Sequence, residues 1–212
     1  IPLLEECGLM PAVGEWVLRN ACEQLQLWRG SDPQGLGSCR VSVNVSGSQL
    51  RHEQWVATVA RILGETGVPP QQIELELTES VLIADLDRAR ETVERLRALG
   101  VGISIDDFGI GYASLDYLRH FPVDYLKMDR SFVSGIETSA RDRAIASAIL
   151  TLGRALGIPV VAEGVETDDQ ASFFTREHCQ ELQGFLFCRP LAPAVLADFL
   201  AGREGIGGAQ AA

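Results

Sequence analysis

The sequence predicts an α/β protein of parallel strands, and a TIM-like (β/α)8 barrel in preference to an open doubly wound sheet. Two observations carry this. Short β-like runs alternate strictly with amphipathic helical patterns, the order that gives parallel strands with right-handed crossovers. Polar side chains also recur near the C-terminal ends of successive strands, the mouth at which barrels build their sites. A doubly wound dinucleotide fold would want G-x-G-x-x-G after its first strand. That motif is absent there, and Gly109-Ile110-Gly111, after the third visible strand, is weak alone.

The elements follow in order. Ile1-Pro2-Leu3-Leu4 opens a short helix that Gly8 can end. A second helix starts near Pro11, where Val13, Val17, Ala21, Leu25 and Trp28 recur on one face. Gly30 to Gly37 is a turn-rich loop. The strands read as Arg40–Ser46, Ile73–Thr78, Val101–Asp106, Val123–Met128, Ile158–Glu163 and Leu182–Phe187. Between them lie helical patterns such as Trp55, Val56, Val59, Ile62, Leu63 and Ala144, Ile145, Ala148, Ile149, Leu152, Leu156. The Ala113–Arg119 crossover is the thinnest of them. Residues 201–212 are rich in Gly and Ala and read as a disordered tail.

The 212 residues suit a single domain, and a hydrophobic fraction of 46% is enough for a core. Net charge is −11, from 18 Lys+Arg against 29 Asp+Glu, which repels a phosphate backbone and argues against a nucleic-acid polymer as partner. A small phosphorylated ligand is compatible with that charge if divalent metal ions supply the positive field. Cys7, Cys22, Cys39, Cys179 and Cys188 form no C-x-x-C pair, which argues against zinc and suits a reducing, cytoplasmic setting. There is no membrane-length apolar run and no basic-then-apolar start, so neither a membrane segment nor a signal peptide is expected.

Barrel strands are ordinarily apolar on both faces. Here strand ends carry Asn44, Glu76, the pair Asp106-Asp107, Lys127 followed by Asp129, Glu163 and Gln183. Crowding such carboxylates requires cations. The donors are oxygens, without histidine or thiol, which favours Mg²⁺ or Mn²⁺ over zinc. Four carboxylates can hold two ions, and two metals about 3.5–4 Å apart are the standard arrangement for in-line attack of water on a phosphodiester. Each residue also has an ordinary reading. Asn44 could be a hydrogen-bonded core amide, Glu76 an ion-pair partner of Lys127, and Glu166 a loop or helix-start carboxylate. Lys127 could form a Schiff base, although the neighbouring acids would keep it protonated. Asp107-Phe108-Gly109 lacks the other kinase motifs. His52, His120 and His178 lie away from the strand ends and are given no chemistry.

Together these segments resemble a known family. Asn44-Val45-Ser46, Glu76-Leu77-Thr78-Glu79-Ser80, Asp106-Asp107-Phe108-Gly109-Ile110-Gly111-Tyr112, Leu126-Lys127-Met128-Asp129-Arg130-Ser131-Phe132, Ala162-Glu163-Gly164-Val165-Glu166-Thr167 and Gln183-Gly184-Phe185 match, in order and spacing, the EAL-domain phosphodiesterases, which hydrolyse the bacterial second messenger cyclic di-GMP to linear pGpG. The resemblance covers residues 1–200. It implies that Asn44, Glu76, Asp106 and Asp107 bind two ions of Mg²⁺ or Mn²⁺, with Asp106 bridging. Lys127 would hold the hydrolytic water or stabilise phosphate charge, Glu163 would be the general base or its partner, and Gln183 would orient the water or a metal ligand. Pro190 would line a guanine pocket and Asp129 the substrate site. Glu79 and Glu166 would couple the loop after Asp107 to a homodimer contact. Upstream sensory or GGDEF domains are implied as partners.

The sequence also departs from the family. The Glu-Ala-Leu motif and its nearby arginine do not occur, so the barrel is expected to lack its first two strands. This chain alone is expected to be inactive, and Val43 and Leu186 are expected to be exposed at an open seam. Ile110 and Ala113 stand where the family has Thr and Ser. The alternative function is a catalytically inactive cyclic di-GMP receptor or regulatory interaction module.

Overall fold

Among the described residues, six parallel strands form one sheet in chain order: β1 (Val41–Asn44), β2 (Ile73–Thr78), β3 (Gly102–Phe108), β4 (Tyr125–Met128), β5 (Val160–Glu163) and β6 (Glu181–Gln183). The computed structural model describes residues 2–32, 35–83, 85–110, 118 and 121–203. Helices α1 (Pro2–Glu6) and α2 (Met10–Ser31) precede β1. Then α3 (Gly47–Leu50) and α4 (Trp55–Thr66) follow β1, α5 (Glu79–Ile83) and α6 (Leu86–Ala98) follow β2, α7 (Arg130–Ser134) and α8 (Ala140–Leu156) follow β4, α9 (Asp168–Arg176) follows β5, and α10 (Pro193–Arg203) follows β6. The sheet is curled like part of a TIM-type barrel, with helices outside. No helix among the described residues is long and apolar enough to cross a membrane.

Strand parity explains the core. One set of side chains (Val43, Leu75, Ile103, Ile105, Leu126, Val160, Ala162) is buried and belongs to the main hydrophobic cluster with α2, α4, α6 and α8. The alternating set carries the polar residues. Val43 is therefore only 4% exposed, not bared at a seam as expected, and Leu186 is half-buried against the core. The large apolar side chains exposed beyond β6 include Phe185, Phe187, Leu191, Val195 and Leu200.

The expected strand order is observed, but several ends differ. β1 begins at Val41 and stops at Asn44, because Ser46 opens α3 with a capping box to Gln49. β4 and β5 start two residues late, at Tyr125 and Val160. β6 ends at Gln183 instead of running to Phe187. The chain turns at Gly184, and Val165 then donates its N–H to Gln183 O while accepting from Leu186 N–H, both at 3.0 Å. β3 runs two residues further than expected, to Phe108.

Helix faces were also displaced by one position. In α2 the buried side is Leu18, Cys22 and Leu25, whereas Val17 is exposed. In α8 it is Ala146, Ile149, Leu150 and Gly153, not Ala144 or Leu156. The reason is close approach. A Cβ on Gly153 would lie 2.5 Å from Val160 Cγ2 and 2.7 Å from Ile158 O, so α8 lies against β5 on a residue that hydrophobic patterning does not count. By contrast, the apolar face predicted for α4 is the buried one. Of the Ala113–Arg119 crossover only Leu118 is among the described residues, and His120 also lies outside them. Of the tail expected from residue 201, Ala201 to Arg203 complete α10, and 204–212 lie outside the described residues.

Candidate active site

The polar strand ends share one register. Asn44 is paired with Glu76, Thr78 with Asp106, and Glu163 with Gln183. On each strand these residues occupy the parity that the core does not use, so they meet at the C-terminal mouth. At their centre stands Lys127 from β4. Its Nζ lies 2.7 Å from Glu76 Oε1, 2.5 Å from Glu163 Oε1 and 3.9 Å from Asp106 Oδ1. Lys127 and Glu76 are each about 5% exposed.

Burial opposes the Lys127 ammonium, but the hydrogen bonds to Glu163 and Glu76 outweigh it and hold its pKa above the ordinary lysine range. A Schiff-base role, which needs a neutral amine, is disfavoured on that ground. Burial pushes the Glu163 carboxyl up, against the pull of Lys127, and Asp106 and Glu76 add repulsion. The Asp107 carboxyl is raised in the same sense, first by burial and then by Asp106 and Asp129.

A β-bulge delivers Asp106 and Asp107 together. β3 pairs Ile105 with Leu126 and then Phe108 with Met128, so β3 spends one more residue than β4 over this stretch. The extra residue resets the parity: Phe108 falls on the buried outer side, 2% exposed, and both aspartates precede it. Asp107 has φ +54°, a left-handed conformation that costs most residues with a Cβ but that Asp tolerates better than most. Its N–H donates to Asp106 Oδ1 at 3.0 Å.

The remaining candidates are more spread out. Asp129 caps α7, accepting from Ser131 N–H at 2.8 Å, and its charge acts on Asp107. Glu79 is 2% exposed and its Oε2 accepts from Gly109 N–H at 3.4 Å, under the loop that leaves Asp107. Glu166 does not join the lysine cluster; it accepts from Arg130 Nη2 at 2.7 Å. Pro190 shares a cleft of about 550 Å³ with Gln183, Phe185 and Arg189. Gly111 and Tyr112, within the matched motif, and Ala113 lie outside the described residues.

The donors fit hard divalent cations in kind. Among the described residues, no three carboxylates are placed to ligate one ion; Glu76 and Glu163 instead contact the Lys127 ammonium. Glu76, Asp106, Asp107 and Glu163 still place more negative charge at the mouth than one lysine neutralises. Carboxylate and amide oxygens in excess of cation are the chemistry that Mg²⁺ and Mn²⁺ satisfy.

Reading the sequence for strand ends missed a second polar layer. Arg40, Glu74, Tyr125 and Glu181 interact at the opposite, N-terminal end of the strands. The signal was present: Glu74, Tyr125 and Glu181 each precede Glu76, Lys127 or Gln183 by two residues, which is the same face of the strand.

Comparison with known proteins identifies the family and the fold. The sequence pattern described as "EAL domain" matches residues 1–190. An uncharacterised signalling protein of Caulobacter vibrioides is 47% identical over 190 residues, which are 90% of this chain and 23% of that protein. The cyclic di-GMP phosphodiesterase NbdA of Pseudomonas aeruginosa is 45% identical over 200 residues, 94% of this chain and 25% of that protein. The chain thus spans about a quarter of the length of these relatives. Among solved structures, the phosphodiesterase PaMucR in complex with c-di-GMP superposes with a TM-score of 0.87 at 45% identity, covering 92% of this chain and 78% of that one. Its source protein, MucR of Pseudomonas aeruginosa, is named as a bifunctional diguanylate cyclase and cyclic di-GMP phosphodiesterase.

Proposed function

The chain belongs to the EAL domain family, and on that premise we propose that its domain hydrolyses cyclic di-GMP to linear pGpG in a divalent-metal-dependent reaction of bacterial signal transduction. The observation that carries this reading is the mouth cluster, in which Glu76, Glu163 and Asp106 surround the Lys127 ammonium. The names of NbdA and MucR support it.

Asn44, Glu76, Asp106 and Asp107 would hold two ions of Mg²⁺ or Mn²⁺. Bound there, the ions supply Lewis-acid charge to phosphate oxygens and acidify water. The protein's own residues do the rest. Glu163, made more basic by burial, takes the proton of the attacking water. The water oxygen bonds to phosphorus as one P–O3′ bond breaks, and the freed 3′ oxygen is protonated from solvent. The ring opens to a linear dinucleotide with a 5′-phosphate. Lys127, still an ammonium, offsets charge on the phosphoryl oxygens, and Gln183 orients the water. Asp129 and Pro190 face the substrate, Pro190 beside a guanine. Glu79 and Glu166 would link the loop after Asp107 to a homodimer contact. The domain would work in the cytoplasm alongside upstream sensory or GGDEF domains.

The test is chromatography of cyclic di-GMP incubated with the whole protein that carries these residues, with Mg²⁺, with Mn²⁺ and with EDTA. Conversion to pGpG in either metal, lost in EDTA, is expected. Binding of cyclic di-GMP without conversion would assign the domain to a receptor or regulatory role instead.

A further inference from the structure

The floor beneath the mouth is unusually polar, and one residue organises it. Arg40 lies immediately before β1. Its Nε is 2.8 Å from Glu74 Oε2 on β2, close enough for an ion pair although off the line of a hydrogen bond. Nη1 donates to Tyr125 Oη on β4 at 2.7 Å, and the guanidinium carbon lies 4.1 Å from the centre of the same ring. Nη2 donates to Glu181 on β6, at 3.3 Å to Oε1 and 3.4 Å to Oε2. One side chain therefore touches three strands besides its own. Two of the four, β1 and β6, are not neighbours in the sheet that the described residues form.

Every partner is placed under a mouth residue. Glu74 precedes Glu76 by two positions, Tyr125 precedes Lys127 by two, and Glu181 precedes Gln183 by two. Arg40 precedes Asn44 by four. Along a strand these spacings keep the same face, so the floor contacts and the mouth residues are successive layers of one interior. A shift of one strand at the floor carries directly to the residue above it.

We infer that Arg40 is a positioning residue for the mouth: its three-way fork fixes how β1, β2, β4 and β6 stand around the interior, and hence the spacing of Asn44, Glu76, Lys127 and Gln183. Only a planar guanidinium with donors in several directions can make this set of contacts; a lysine would keep a charge near Glu74 but lose the fork. Glu74 is 3% exposed and needs that charge, whereas Glu181 and Tyr125 do not need it for burial. Their contacts with Arg40 therefore serve placement more than charge compensation. The inference rests on the proposed phosphodiesterase reading for its effect on turnover, but not for its effect on the mouth itself.

The experiment compares wild type, Arg40→Lys, Arg40→Met and Glu181→Gln in the whole protein. Three quantities are read: Mn²⁺ affinity by calorimetry, kcat and KM for cyclic di-GMP, and melting temperature in EDTA. Displacing groups that orient metal ligands typically weakens binding on the order of tenfold or more. Both Arg40 variants should lose about that factor in Mn²⁺ affinity and in kcat. KM should change less. Glu181→Gln should show a smaller loss of the same kind with an unchanged melting temperature. If Arg40→Met does not fold because Glu74 is left bare, Arg40→Met/Glu74→Gln removes that charge and takes its place. An Arg40→Lys protein that melts lower yet keeps Mn²⁺ affinity and kcat would make Arg40 merely structural and overturn the inference. A wild type that binds Mn²⁺ without cleaving would overturn the phosphodiesterase reading alone, with the Mn²⁺ comparison still deciding Arg40. A wild type that binds no Mn²⁺ would overturn both.

Discussion

Lys127 Nζ lies 2.5 Å from Glu163 Oε1, inside a ring of carboxylates at the mouth of a parallel sheet. The ammonium is what allows those carboxylates to be buried together. Its removal tests this directly. Lys127→Met leaves Glu76 and Glu163 without a cation, and breaking a buried pair on one side typically costs about 3–5 kcal/mol. The sign with pH follows from Glu163. Burial already raises its carboxyl against the pull of Lys127. Stripped of that ammonium it sits further above its unfolded value, so the destabilisation is full at high pH and shrinks as pH falls and the carboxyl takes a proton. In the wild type, Lys127 is raised above its unfolded value, so its contribution is present throughout the neutral range and is lost only as pH rises past the lysine range. Urea unfolding in EDTA at mildly acidic and mildly alkaline pH should show a gap between variant and wild type that widens with pH. Cleavage should be absent from the variant.

Asp106 should behave in the opposite way. Its contact with Lys127 is loose, at 3.9 Å, while its charge raises both the Glu163 and the Asp107 carboxyls. Without metal, Asp106→Ala removes repulsion and one hydrogen bond from Asp107 N–H. The melting temperature in EDTA should therefore hold or rise slightly, while cleavage in Mg²⁺ or Mn²⁺ is abolished. A metal-free drop of more than about 5 °C, which is on the order of 1 kcal/mol or more for a domain of this kind, would make Asp106 structural.

These contrasts show what the sequence could carry. Alternation along Ile73–Thr78 and Val41–Asn44 was enough to place Glu76 and Asn44 on one face, since a period of two leaves no other choice. It could not carry the bulge at Asp106 and Asp107, because an inserted residue breaks the period it would be read from. The positive φ of Asp107 is only weakly signalled by residue type, because Asp tolerates that region without requiring it. Helix faces drifted by a position where Gly153, rather than a large apolar residue, makes the contact. The Arg40 floor was legible only in part. Its acceptors fall in phase with the mouth residues, but the reach of one side chain across four strands is a property of the curl.

The cysteines offer a test of burial independent of function. Cys22 is fully buried on α2, and burial pushes its thiol pKa up; the Cys179 thiol is raised for the same reason. Cys7 and Cys39 are exposed. Thiolate is the reactive form, so both access and charge disfavour Cys22, and charge disfavours the partly buried Cys179. At mildly alkaline pH a disulfide-exchange reagent should react with Cys7 and Cys39 quickly, and with Cys22 only on the timescale of unfolding. Peptide mapping of the modified thiols checks the order, and early modification of Cys22 would contradict the packing of α2 on α4.

A pair of glycine replacements should move stability in opposite directions. A Cβ on Gly184 would fall 2.0 Å from Val165 O and 2.3 Å from Val165 N, both backbone atoms that cannot rotate away. Those same atoms accept from Leu186 N–H and donate to Gln183 O, the bonds that hold the turn after β6 and keep Gln183 alongside Glu163. Gly184→Ala must therefore part backbone segments, and overpacking of this kind costs about 1–3 kcal/mol, with the upper end expected where no side chain can yield. Gly64 lies within α4 with open space where its Cβ would be. There the same substitution reduces the entropy of the unfolded chain and restores helix propensity, for a gain of about 0.5–1 kcal/mol. Urea midpoints should fall for Gly184→Ala and rise for Gly64→Ala. Because the Gly184 clash lies beside Gln183, kcat should fall with it, whereas Gly64→Ala should leave turnover unchanged. A Gly184→Ala protein as stable and as active as wild type would mean that the turn does not hold Gln183 in place.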